Sequence, residues 1–472
     1  MKDYKALGFK SGIEIHQQLD THKLYCNCPS IVRDTKHDIQ VNRRLRPVAG
    51  ERGEVDIAAL YEQSKGNEFH YKCADTSSCL VELDEEPPTE VNKEALGVVL
   101  QVAKMLNMTI VDEVHVMRKI VVDGSNTSGF QRTALIGVNG WIETSKGKVG
   151  IESVCLEEES AQKGGTGEDF VEFKLDRLGV PLVEIATDAS LQDPEHVQEA
   201  AQKLGMILRS TGKVKRGIGS IRQDVNVSVS GGSRVELKGF QELKSMVKVA
   251  DAEVDRQLEL IGKGEEIKKE VRTPELKSKY LRPMPGAARM YPETDVQTVR
   301  ITKEMLSKIE IPELIEDKIQ GMVDSFKIDK EVAGTLIKQN LSSFFSFSAK
   351  RYTGLKPTFI ADVLLSCQKE VKKLGKNATP SQEDYSAVFK ALNEGKISKE
   401  SVYDVFASDK PVKDALGDFV LMGDAELESK LKEIVAANKD MPFNALIGKA
   451  MGQLRGKADG KKIVEKLKQL AS

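Results

Sequence analysis

In SGIEIHQQLDTHKLYCNC, residues 11 to 28, a carboxylate and an imidazole stand two residues apart, followed by two cysteines two apart. Side chains alternate faces along an extended segment, so Glu14 and His16 point one way while Ile13 and Ile15 point the other. IRQDVNVSV, residues 221 to 229, repeats that division, with Arg222, Asp224, Asn226 and Ser228 on one face and Ile221, Val225, Val227 and Val229 on the other. In VPLVEIATD, Glu184 sits among Leu182, Val183 and Ile185, and a carboxylate on so apolar a strand is costly to bury unless it is paired or metal-bound. CLEEESAQK, residues 155 to 163, contributes Glu158 and Lys163. For each stretch the competing account is a solvated strand edge or charge run.

Together Glu14, His16, Glu158, Glu184 and Asp224 supply hard oxygen donors and one imidazole, with Arg222 and Lys163 as cations. That set suits a Mg²⁺-type ion whose shell is completed by phosphate oxygens, so the chemistry expected is phosphoryl transfer or metal-assisted hydrolysis. Neither GxxxxGK[ST] nor GxGxxG occurs, which excludes a P-loop or a Rossmann turn as the nucleotide holder. VVDGSNTSGFQRT, residues 121 to 133, can cradle phosphate through its glycine- and hydroxyl-rich backbone around Ser125, Asn126 and Ser128, although such clusters are commonly plain turns. Cys26 and Cys28, with Cys73 and Cys79, form two cysteine pairs able to close a Zn²⁺ site, against the alternative of buried free thiols. Cys155 and Cys367 stand alone and are expected to be packing residues.

The elements that must position these groups follow from periodicity. Period-2 stretches (GIEIHQQL, KIVVDG, PLVEIATD, SIRQDVNVSVS, RVELKGF) and helical patterns at 90–107 and 194–211 predict a mixed α/β region over residues 1–295. Asp193, Pro194 and Glu195 form a helix start. From about residue 300 the pattern is helix after helix, with a linker near 372–384. The expected fold class is therefore α+β, a mixed α/β cradle (1–295) followed by a helical domain (296–375) and a small all-α tail (376–472). A chain of 472 residues is too long for one core. Lys+Arg number 70 against Asp+Glu 72, so any polyanion must be met by a local patch. The last 24 residues supply one, with Lys449, Arg455, Lys457, Lys461, Lys462, Lys466 and Lys468 against Asp459 and Glu465. With no signal-like N-terminus and no apolar run approaching 18 residues, the expected location is the cytoplasm.

Several stretches resemble the B/E-subunit family of tRNA-dependent amidotransferases, and within it the archaeal E branch. They are SGIEIHQQLDTHKLYCNCPS, CLVELDEEPP, VVDGSNTSGFQRTALIG, LEEESAQK, RLGVPLVEIATD, GSIRQDVNVSV, VELKGFQEL, YLRPMPGAARMYPETD and, at the end, NALIGKAMGQLRGKADGKKIVEKLKQL. The resemblance implies a cradle that uses ATP and Mg²⁺ to phosphorylate the γ-carboxylate of glutamate misacylated on tRNA(Gln), after which ammonia displaces the phosphate. It implies that Glu14, His16, Glu158, Glu184 and Asp224 hold the metal, that Arg222 and Lys163 meet phosphate oxygens, and that the tail reaches the tRNA body. No amidase nucleophile motif is present, so a separate ammonia-producing subunit is implied, asparaginase-like (GatD-like) rather than GatA-like, in a heterodimer or heterotetramer. The domain that archaeal E subunits insert before YLRPMPGAARMYPETD has no counterpart here. The alternative function is an inactive tRNA-binding or assembly scaffold of the same complex.

Overall fold

Strand alternation sets the architecture of the first part of the chain. The computed structural model describes all residues except 1, 33–36, 287–288, 378, 439–440, 455–456, 459 and 471–472, and the side chain of Lys461. The chain divides into two compact units, Met1–Leu314 and Ile315–Ser472.

Seven strands of the first unit matter for the site: β1 (Lys10–Gln18), β2 (Val116–Ile120), β3 (Phe130–Thr144), β4 (Gly147–Glu158), β5 (Pro181–Thr187), β6 (Ile221–Ser228) and β7 (Val235–Phe240). They pair side by side in the order β7-β6-β1-β5-β4-β3-β2, every neighbour antiparallel. Short strands extend this sheet at both edges, to eleven strands among the described residues. Only the first two residues of KIVVDG are strand; the pairing ends at Ile120 and the chain turns.

One face of the sheet is apolar and covered by three helices, α1 (Lys93–Met105), α2 (Pro194–Ser210) and α3 (Leu243–Gly262). Ile13, Ile15, Val154, Leu156, Val183, Ile185, Val225, Val227 and Leu237 from the strands share a core with Leu96, Val99, Ala200, Leu204, Met246 and Val254 from the helices. Truncating one such residue, for example Ile15→Ala, would cost roughly 2–5 kcal/mol, which is why the register of these strands is tightly specified. The helix starts are fixed chemically. Asn92 accepts hydrogen bonds from the Glu94 and Ala95 amides at the head of α1, and Asp193 accepts from His196 N at 2.8 Å at the head of α2, with Pro194 at the first position. A second sheet of four strands (Ile39–Arg43, Glu68–Cys73, Phe170–Lys174 and Gln162–Thr166) packs its own small core around Tyr71, Phe173 and Leu175.

The second unit is helical. One apolar cluster runs from Met322 to Ala415 and joins helix α4 (Ser342–Arg351), α5 (Pro357–Lys373), α6 (Gln382–Asn393) and α7 (Val412–Asp418). Helix α6 opens on a reciprocal cap in which Ser381 and Asp384 bond each other's backbone, so the segment expected to be a linker to 384 is already helix from Gln382. A separate cluster, from Leu427 to Leu467, holds together α8 (Asp424–Ala436), α9 (Phe443–Gln453) and α10 (Gly460–Leu470). A mixed α/β unit followed by helices is the fold class expected from the sequence.

Candidate active site

The face of the large sheet away from α1, α2 and α3 is polar, because every strand that sends its aliphatic residues to the core sends the alternate ones the other way. Register brings these alternates into one row. His16 lies opposite Glu184 on β5 and Arg222 on β6, Glu14 lies opposite Asp224, and Asp224 lies opposite Lys238 on β7. On the other side Glu184 faces Cys155 of β4, Glu157 faces Thr133 of β3, and Gln131 faces Lys119 of β2. Six adjacent strand pairs thus carry a continuous band of ionisable groups.

At its centre His16 Nε2 lies 3.0 Å from Glu184 Oε2, and Lys119 Nζ lies 2.5 Å from Glu157 Oε1 and 3.5 Å from Glu184 Oε2. Ligand atoms of His16, Glu157 and Glu184 all lie within 4.8 Å of one another. Burial pushes the Glu184 carboxyl up, but Lys119 and His16 overcome it and hold the group well below the usual range. Its neighbour Glu157 behaves oppositely, raised by burial and by the Glu184 charge against the pull of Lys119 and His16. Burial would lower the His16 pKa, yet contact with Glu184 raises it. The Glu14 carboxyl is raised by burial and by the charges of Glu184 and Glu236. Burial also opposes ionisation of Asp224, but Lys238 Nζ at 3.0 Å and the Gly239 amide at 2.7 Å hold it below the usual value. Crowded carboxylates resist joint ionisation, and a divalent cation removes that resistance. The donors here, two carboxylates and an imidazole, fit such an ion with phosphate oxygens as further ligands.

The sequence-derived residues do not all meet in this row. Glu14, His16, Glu184, Arg222 and Asp224 are in it. Arg222 Nη2 donates to Glu159 Oε1 at 2.8 Å, and with Arg177 it overcomes burial to keep the Glu159 carboxyl ionised. Glu158 is placed on the opposite face, since it follows Leu156 and not Cys155 in the alternation of β4. There it accepts from the Arg132 amide at 2.9 Å and lies 3.6 Å from the Arg132 guanidinium, which also binds Glu293. Lys163 is exposed on the four-stranded sheet. The loop groups are engaged locally, Ser125 Oγ donating to Asp123 Oδ1, Ser128 Oγ to the Phe130 carbonyl, and buried Asn126 accepting from Ser160. Gly124 in this loop has φ of 91°, and a Cβ there would fall 2.2 Å from the Phe69 ring, so only glycine fits the turn.

The residues that sequence reasoning missed are Glu157, Lys119 and Lys238. The signal for Glu157 was present in Val154 and Leu156, whose core-facing alternation assigns Cys155 and Glu157 to the polar face. Cys155 accordingly lines the row opposite Glu184 and is not a core packing residue, whereas Cys367 is fully buried in the helical core.

A second donor cluster lies elsewhere in this unit. Cys26, Cys28, Cys79 and Glu82 bring their ligand atoms within 4.8 Å of one another. Cys26 Sγ is 2.9 Å from Glu82 Oε1, the Cys79 amide donates to Glu82 Oε2 at 2.7 Å, and fully buried Lys23 stands 3.4 Å from the same carboxylate. This cluster can hold a metal ion. Cys73, expected as the fourth thiol, instead points into the small core of the four-stranded sheet, and Glu82 takes its place.

Two comparisons with known proteins bear on this geometry. A family model described as the GatB/GatE catalytic domain matches residues 9–307, and one described as the GatB domain matches residues 343–470. Among curated relatives, the E subunit of the glutamyl-tRNA(Gln) amidotransferase of Methanococcus maripaludis is 35% identical over 617 residues, covering 98% of each chain. Those of Methanocaldococcus jannaschii and Archaeoglobus fulgidus are 35% and 36% identical, each covering 99% of both chains. An alignment of 617 positions against a chain of 472 leaves at least 145 positions of the first relative without a counterpart here, in keeping with the inserted domain that the sequence lacks. No helix among the described residues is long and apolar enough to cross a membrane. With both domain models matched and a third of the positions identical from end to end, the chain belongs to the GatB/GatE family.

Proposed function

We propose that the polar row is the site at which this chain, as the E-type component of a glutamyl-tRNA(Gln) amidotransferase, activates the side-chain carboxylate of glutamate esterified to tRNA(Gln) with ATP and exchanges it for an amide. The observation that supports this best is the cluster of His16, Glu157 and Glu184 with Lys119 inserted between the two carboxylates. His16, Glu157 and Glu184 would hold Mg²⁺, with Glu14 and Asp224 beside them. When bound, the ion neutralises charge on the transferring phosphoryl group. Lys119 and Lys238 stand at two points of the row and are positioned to meet phosphate oxygens, and Arg222, fixed by Glu159, adds a third cation. Ionised Glu184 keeps His16 oriented through their 3.0 Å contact. Transfer of the terminal phosphoryl group of ATP to the glutamate carboxylate would release ADP and give an acyl phosphate, whose carbonyl carbon ammonia would attack, with phosphate and a proton leaving to give the amide.

Ammonia would come from a separate subunit, asparaginase-like in type, and the assembly would work in the cytoplasm. The Cys26, Cys28, Cys79 and Glu82 cluster would hold Zn²⁺ as a structural ion, since a tetrahedral thiolate-rich set is what that metal prefers. The cradle, helical and tail divisions would then serve chemistry, support and tRNA contact in turn. The test is conversion of purified Glu-tRNA(Gln) by the isolated chain with ATP, Mg²⁺ and added ammonium, which bypasses the partner. Formation of Gln-tRNA(Gln) dependent on all three supports the reading, and its absence with folded protein overturns it.

A further inference from the structure

The helical unit carries a ladder of aromatic rings that ends at the surface. Phe406 meets Tyr385 at 5.1 Å between ring centres, Tyr385 meets Phe344 at 6.3 Å, and Phe344 stacks with Phe347 at 6.5 Å and 24°. The first three rings are buried, whereas Phe347 is 50% exposed and is the only exposed phenylalanine among the described residues. Arg351, one turn along α4, holds its guanidinium 5.6 Å from the centre of the Phe347 ring. A groove of about 770 Å³ between α4, α6 and α7 begins at this ring and is lined by Arg351, Lys390 and Lys413, with Glu383 the one acid among its lining residues. Lys390 reaches Glu394 only at 4.0 Å, and neither Arg351 nor Lys413 has a carboxylate partner among the described residues.

A lone exposed apolar side chain needs no explanation, but this one is neither lone nor loose. Phe344 stacks behind it and is itself backed by Tyr385 and Phe406, so stacking a flat group on the ring costs little ordering. Arg351 and Lys413, which have no carboxylate partner among the described residues, and Lys390, paired only at 4.0 Å, attract a polyanion, and an aromatic face beside a guanidinium is the usual platform for an unpaired base. An acidic protein segment would use the cations and leave the ring idle. We propose that an unstacked nucleobase of the tRNA packs on the exposed side of Phe347 beside Arg351, with neighbouring phosphates met by Lys390 and Lys413. This site rests on the reading above that the chain acts on tRNA.

The test is a binding titration of the full chain with tRNA at several salt concentrations. Phe347→Ala should weaken binding roughly ten- to a hundred-fold while leaving the salt slope unchanged, because no phosphate contact is lost. Phe347→Trp should restore binding, and its emission should be quenched when tRNA is added. Lys413→Gln should weaken binding and flatten the log–log salt slope by about 0.7 to 0.9. Wild-type affinity in the alanine variant refutes the site, and so does a tryptophan variant that neither restores binding nor is quenched. Failure of the wild-type chain to bind any tRNA refutes instead the functional reading on which the site rests.

Discussion

Neighbouring glutamates of one strand should respond oppositely to the same substitution. Glu157→Gln keeps the volume of the side chain and removes a charge that lies within 4.8 Å of Glu184 and His16. At an effective dielectric near 20, two unit charges at that distance repel by roughly 3.5 kcal/mol, and burial added to that repulsion outweighs the pull of Lys119 and His16, which holds the Glu157 carboxyl above the usual range. Without divalent ions, Glu157→Gln should therefore be at least as heat-stable as the wild type, with Lys119 retaining its contact to Glu184. In the amidation assay at saturating Mg²⁺ it should lose on the order of 100- to 1,000-fold in turnover, the usual effect of deleting one electrostatic participant. Glu184→Gln should lose as much. Glu158→Gln reverses the pattern in turnover. Burial holds the Glu158 carboxyl above the usual range despite Arg132, and Arg132 keeps Glu293 at 2.7 Å, so the fold should tolerate the loss of charge while turnover per folded molecule stays within a few-fold of wild type. Thermal unfolding in EDTA and amide formation on Glu-tRNA(Gln) with ammonium, measured on all three variants, decide it. Near-normal activity of Glu157→Gln together with an inactive, stably folded Glu158→Gln would refute the face assignment of the site.

Metal analysis should find about one zinc per chain, lost on Cys28→Ser or Cys79→Ser but kept on Cys73→Ser, and a chelator should lower the unfolding temperature of the wild type; metal-free protein of unchanged stability would count against the site. Glu293, enclosed by Arg118 and Arg132, has its pKa lowered from 4.5 to about 2, burial being outweighed by those two guanidinium groups and the Asp295 amide. A depressed carboxyl stabilises the fold above its unfolded pKa and loses that contribution as pH falls through the folded one. The stability gap between wild type and Glu293→Gln should thus be about 3 kcal/mol near pH 7 and shrink between roughly pH 4.5 and 2, as followed by denaturant unfolding. Removing residues 421–472 should weaken tRNA binding and lower its salt slope while leaving the α4–α7 core intact. Cutting at 378 instead would strip Val388 and Phe389 from that core and should unfold the unit, as circular dichroism would show.

The tail prediction is itself moderated by what side chains do in three dimensions. Of its seven cations, Arg455 and the side chain of Lys461 lie outside the described residues, as does Asp459. Lys462 lies 3.0 Å from Asp424 and Lys466 lies 3.6 Å from Glu428, both acids of α8. Sequence proximity counted these lysines as one basic patch, because the acids that face them come from more than 30 residues earlier. The same limit explains the cysteines. Spacing alone pairs Cys73 with Cys79, but Cys73 ends a strand whose alternate residues Phe69 and Tyr71 are buried, so it shares their inward face while Glu82, three residues past Cys79, turns toward the thiols.

Where alternation was applied, it placed residues correctly. Ile13 and Ile15 assign Glu14 and His16 to the polar face, and Val225 and Val227 do the same for Asp224 and Arg222; β1 and β6 then bring the two pairs opposite each other. Applied to β4, the same rule separates Glu157 from Glu158, since Val154 and Leu156 occupy the core. What alternation cannot supply is which strands are neighbours. Lys119 reaches Glu157 only because β2 and β3 continue the sheet beyond β4, and β2 carries too few residues, Val116–Ile120, to announce a buried cation by pattern. A site assembled across six antiparallel pairings is therefore legible one strand at a time, each strand naming its own contribution, while the cations that balance the carboxylates become visible only once the order of the strands is known.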